Sequence, residues 1–167
     1  MRRPIIYHYT AAALLPEIIA TGEILPTRQS LGYDRGDIDL TWLSKARFWE
    51  PASRAGADLE PEWLRDGGHA PAAFVPDGAA RILVRSDRVR PWDDAMLDAG
   101  ADPLELFRLA QLGLEVEAAP NNWYVVSAPI PASEWLGLQV WSDEWVPVES
   151  TEILHGNTQS SMGGRRI

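Results

Sequence analysis

The last third of the chain is built from short runs of β-branched and aromatic residues, and this narrows the architecture more than any other feature. Trp123 to Ile130, Trp135 to Trp141 and Trp145 to Val148 each have strand length, and turn residues such as Ser142-Asp143-Glu144 separate them. Such runs should pair as an antiparallel meander. A sheet has to bury one face against another layer. The longest helical pattern, Pro103 to Glu117, sets Leu104, Phe107, Gln111 and Leu114 along one side and is the natural candidate. Strands and helices segregated in this way make an α+β fold.

The first half follows the same logic. Arg3 to Tyr9 reads as a strand that Thr10 ends, and Ala11 to Thr21 as a short helix spaced by Leu14, Leu15, Ile18 and Ile19. Pro16 suits the first turn of that helix and Gly22 its stop. Glu23 to Leu25 makes a brief strand, Pro26 to Asp39 a polar mobile loop, and Leu40 to Ser44 a further strand leading into the aromatic turn Ala46 to Arg54. Gly56 to Ala80 is an excursion from the core, and Arg81 to Arg85 alternates as a half-buried strand. Tyr9, Leu14, Ile18, Leu43, Leu83, Phe107 and Val125 are the expected core. With 167 residues the chain has the size of one domain, assigned to residues 1–155, with a polar tail over 156–167 that lacks core residues.

Composition excludes several classes. There is no cysteine, so disulfides, thiolate metal sites and a cysteine nucleophile are ruled out and a reducing, cytoplasmic setting is the simpler expectation. No window approaches the roughly 20 apolar residues that span a bilayer, so no membrane partner is expected. A net charge of −9 repels phosphate backbones, which argues against extended DNA binding. His8, His69 and His155 have no metal-ligand spacing, and neither a P-loop nor a nucleophile-elbow motif occurs.

The segment that points to chemistry is Tyr7-His8-Tyr9-Thr10, followed by the short helix and Gly22-Glu23-Ile24-Leu25-Pro26. Over about 20 residues this resembles the opening of ADP-ribosyltransferase domains, notably the DarT-like and RNA 2′-phosphotransferase-like branches. The resemblance implies a pair of small antiparallel or mixed sheets with flanking helices and NAD in the cleft between them. It also implies that His8 meets the NAD ribose, with Tyr9 and Thr10 beside it. Thr41-Trp42-Leu43-Ser44 falls at the family's second core strand, where Trp42 and Ser44, on one strand face, are candidates to line the nicotinamide pocket. Phe48 or Trp49 would be available to stack on an aromatic ring. Arg54 either pairs with Glu50, four residues away, or holds a pyrophosphate, and Arg28, Arg35 and Arg47 flank the same region.

The family's catalytic glutamate opens a late strand. Tyr124-Val125-Val126-Ser127-Ala128-Pro129-Ile130-Pro131 resembles that strand, yet the glutamate's place falls at Asn122 or Trp123. A second register on Glu144-Trp145-Val146-Pro147 offers Glu144, with Glu149 as the other choice. The implied function is transfer of ADP-ribose from NAD to a protein or nucleic-acid acceptor. The alternative is a non-catalytic nucleotide-sensing or protein-interaction module on the same fold, such as a bacterial or phage defence factor.

Overall fold

The computed structural model describes residues 5–53, 78–85 and 87–149. Its strands are β1 (Ile6–Ala11), β2 (Glu23–Ile24), β3 (Thr27–Ser30), β4 (Asp37–Ser44), β5 (Ala79–Val84), β6 (Arg90–Pro91), β7 (Trp123–Val126), β8 (Ile130–Pro131), β9 (Trp135–Trp141) and β10 (Trp145–Val148). Its α-helices are α1 (Leu15–Thr21), α2 (Trp92–Asp98) and α3 (Pro103–Glu115). One eight-stranded sheet runs in the order β10-β9-β5-β1-β4-β7-β6 with β3 added against β4, and β2 and β8 form a separate two-stranded sheet. Every described pairing is antiparallel. The fold is therefore α+β, with most strands in a single large sheet rather than in two small ones.

Strand alternation divides the core between the two faces of that sheet. Ile6, Ile82, Val84, Leu43 and Val126 pack with Leu15, Ile24 and Ile130 on the face that α1 covers. Leu40, Trp123 and Val125 pack on the other face with Trp92 and Met96 of α2 and Leu106 of α3. Tyr7, Tyr9 and Trp49 continue the second face beside Trp141 and Trp145. Gly22 ends α1 in the left-handed region at φ 70°, where its N–H reaches the carbonyls of Ile18 and Ile19.

Four expectations change. Residues 26–39 are not a loop, because Thr27, Arg28, Gln29 and Ser30 pair with Leu40, Asp39, Ile38 and Asp37. A mostly exposed polar strand has no apolar alternation by which a sequence could reveal it. The three late runs are not one meander: β9 and β10 form a hairpin, but β7 lies between β4 and β6, and β9 continues onto β5. The Arg90–Pro91 strand and α2, opened by Trp92, had not been anticipated.

The fourth change is one of phase. Asp102 caps α3 by accepting the Leu104 N–H at 2.9 Å, and the helix buries Leu106 and Gly113, with Leu109 and Ala110 packed behind them. Leu104, Phe107 and Leu114 are instead 71%, 62% and 54% exposed, and Leu14 of the expected core is also exposed. Tyr9, Leu43 and Val125 are buried as expected, while Ile18 and Leu83 are half-buried. Strand β1 begins at Ile6 and runs to Ala11, so Arg3 of the expected strand lies outside the described residues, as do most of the 56–80 excursion and the 156–167 tail.

Candidate functional site

β1 keeps six register pairs with β5 but only one with β4, Tyr7 opposite Ser44. In that register His8 would face Leu43 and Tyr9 would face Trp42, but the two strands are no longer laddered there, and an imidazole takes the place of a backbone donor. His8 Nδ1 lies 3.0 Å from the Trp42 carbonyl oxygen. A carbonyl only accepts, so Nδ1 carries the proton and the neutral ring keeps Nε2 as an acceptor. Burial holds the His8 pKa below its ordinary 6.5, outweighing the opposing pull of the Trp42 carbonyl.

The sign of the resulting pH dependence follows directly. Folding favours neutral His8, so its contribution is fully present above the unfolded value of 6.5 and is lost as pH falls below it toward the lowered folded pKa. Wild type should thus lose more melting temperature between about pH 7.5 and 5.5 than His8→Gln, since the carboxylates common to both proteins cancel. Parallel melting-temperature profiles would show that His8 does not titrate in this way.

After β4 the chain makes a turn that several strands pin. Tyr9 Oη, its pKa pushed up to about 12 by burial, donates to the Ala46 carbonyl at 2.6 Å. Arg81 of β5 donates to the Arg47 carbonyl while its guanidinium lies over the rings of Tyr7 and Trp145. Trp145 Nε1 of β10 donates to the Phe48 carbonyl at 2.6 Å, and the Lys45 N–H donates to Asn122 O at 2.9 Å. Lys45 Nζ sits against the Tyr124 hydroxyl and over its ring.

This turn delivers Glu50. The Ser44 hydroxyl donates to Glu50 Oε2 at 2.6 Å and accepts the Ala46 N–H at 3.0 Å, and Glu50 Oε1 accepts the Ala52 N–H at 3.3 Å. Both Ser44 and Glu50 are buried. A carboxylate fixed by one hydroxyl and one amide has a defined position but keeps further lone pairs available.

His8, Trp42, Ser44 and Glu50 border one cavity of about 580 Å³, between β1, β3, β4 and the inner side of α3. That volume is in the usual range for a small-molecule site. Leu109 and Leu112 of α3 add apolar lining, as does Trp123, the cross-strand neighbour of Ser44. Gly113 lets the indole of Trp123 lie against α3, because a Cβ there would come within 2.6 Å of Trp123 Cζ2. Thr41 Oγ1 and Trp123 Nε1, both on lining residues, are buried without a hydrogen-bond partner among the described residues. Buried polar atoms are usually satisfied, so a ligand with polar groups suits this cavity.

Of the residues singled out from sequence, His8, Tyr9, Trp42 and Ser44 line the cavity. Thr10, Phe48 and Trp49 do not: Thr10 is buried on β1, Trp49 packs edge-on against Tyr9, and Phe48 is half-exposed against Trp141. Arg54 lies outside the described residues. Glu144 sits exposed in the β9–β10 turn and Glu149 exposed just past β10, at the sheet edge, and neither lines the cavity. Arg28 pairs with Asp37 on the surface, and no arginine or lysine lines the cavity among the described residues.

Glu50 is the residue that sequence reasoning placed in another role, as half of a helical pair with Arg54. Its expected partner Arg54 lies outside the described residues, and past Glu50 the described chain makes a 3-10 turn over Pro51–Ser53. Among the described residues no group of histidines and acids could hold a metal ion, and no helix is long and apolar enough to cross a membrane. No protein-family model matches the chain, and neither a curated protein nor a solved structure matches it.

Proposed function

We propose that the chain is an NAD-binding, ADP-ribosyltransferase-like protein that transfers ADP-ribose to a protein or nucleic-acid acceptor. The observation that carries the reading is the meeting of His8, Ser44 and a buried carboxylate, Glu50, around one cavity where β1 and β4 part. A neutral His8 with Nε2 as acceptor suits a ribose hydroxyl, and the indoles of Trp42 and Trp123 suit a planar heterocycle. NAD is the consumed substrate in this reading, and it supplies the activated glycosidic bond. The residues present fit its nicotinamide-riboside end. Its pyrophosphate finds no cationic side chain in the described lining and belongs at or beyond the mouth.

The second reading keeps nucleotide binding without turnover, as a sensing or interaction module. It is favoured by the position of Glu144 and Glu149, which leaves both carboxylates offered by the late-strand registers away from the cavity. Calorimetric titration with NAD addresses what the two readings share. Heat should appear at or below millimolar ligand and weaken in His8→Ala. No heat, or equal affinity in the variant, would remove the nucleotide reading.

A further inference from the structure

The described lining of the cavity holds two carboxylates, Glu50 and Glu115, and no positive side chain. Glu115 of α3 is exposed to solvent, whereas Glu50 is only 5% exposed. Burying a carboxylate is unfavourable unless it is paired. Glu50 forms no ion pair with a described lysine or arginine; the groups that hold it are a hydroxyl and an amide. His8 adds an acceptor to the same space, not a cation. Such a cavity favours a ligand that brings its own positive charge, and aromatic walls favour a planar one.

Resting on the nucleotide reading above, we propose that Glu50, oriented by Ser44, is the catalytic carboxylate of this cavity and selects a cationic pyridinium riboside, the oxidised end of NAD, over its neutral reduced counterpart. In the reaction the bond between the ribose anomeric carbon and the ring nitrogen breaks. Its electron pair neutralises the departing ring, and the positive charge passes to the ribose. Water or the acceptor's nucleophile then adds to that carbon and releases a proton. Throughout, one unit of positive charge stays near Glu50 and moves from ring to sugar, so the same carboxylate serves binding and the transition state. Ser44 is a positioning residue: its proton is committed to Glu50 Oε2, and its oxygen to the Ala46 N–H.

The test compares wild type with Glu50→Gln, which has the same shape and can still accept from Ser44. Glu50→Asp serves as the charge-retaining control, and the melting temperature as the check on folding. Oxidised NAD, reduced NAD and nicotinamide riboside are titrated calorimetrically, and nicotinamide release is followed with water as acceptor. Wild type should prefer oxidised to reduced NAD by about tenfold and bind the riboside. Glu50→Gln should lose that preference and release nicotinamide roughly 100-fold more slowly, while Glu50→Asp keeps the preference. If Glu50→Gln keeps both the preference and the rate, or if only Glu144→Gln or Glu149→Gln slows release, the assignment of Glu50 is overturned and the nucleotide reading stands. If wild type binds neither oxidised NAD nor the riboside at millimolar concentration, the nucleotide reading itself fails and this inference with it.

Discussion

Trp123→Ala is expected to lower the stability of the fold by about 3–5 kcal/mol, the range for removing a large buried aromatic. For a domain of this size that is a fall in melting temperature of roughly 6–20 °C. Trp123 is 8% exposed, opens β7, and meets Trp42 and Trp92 edge-on at centroid distances of 5.9 and 5.4 Å. It lies at the junction of β4, β7, α2 and α3, so little around it can collapse into the space it leaves. Phe107→Ala is the matched contrast. Phe107 has the periodicity of a core residue but points outward from α3, 62% exposed, and its truncation should stay within about 0.5 kcal/mol. Denaturant melts of the two variants measure both quantities, and a Phe107→Ala loss as large as that of Trp123→Ala would mean that α3 is packed in the opposite phase.

Gly113→Ala should change sign with its surroundings. In an open helix the substitution gains up to about 1 kcal/mol, because glycine is the poorer helix former. At position 113 the added Cβ meets the Trp123 indole at under 3 Å, an overlap that only movement of a buried ring or of α3 relieves. Overpacking of this kind costs about 1–3 kcal/mol, so the net expectation is a loss of about 1–2 kcal/mol. In a Trp123→Ala background the obstacle is gone, and the same substitution should stabilise by up to about 1 kcal/mol. A double-mutant cycle by urea unfolding tests this, and additive energies would show that glycine is not required there by the indole. Both residues line the cavity, so the single variant should also alter ligand affinity.

The features legible in the sequence were those with a local cause. The β1 and β4 cores, the Gly22 stop and the β9–β10 hairpin follow from alternation and turn chemistry that lie within a few residues. That His8, Trp42 and Ser44 come together around one cavity was legible because two strands carry them and strand geometry is regular. What stayed hidden depends on contacts remote in the chain. The α3 pattern is ambiguous between two apolar faces, Leu104/Phe107/Leu114 and Leu106/Leu109/Gly113, and the choice is made by where Trp123 and Trp92 arrive. Glu50 is brought to the cavity by a turn held by Tyr9, Arg81 and Trp145, residues from three different strands. No local period could announce that placement.

Lys45, at the start of that turn, is the only lysine in the 167 residues. Its ammonium rests on Tyr124 and its backbone is tied to Asn122, while its neighbour Ser44 holds Glu50. The molecule thus offers amine-reactive reagents one ε-amine, carried by the turn that leads to Glu50. A fluorophore coupled there would report on events at the turn, with no residue added to the chain to carry it.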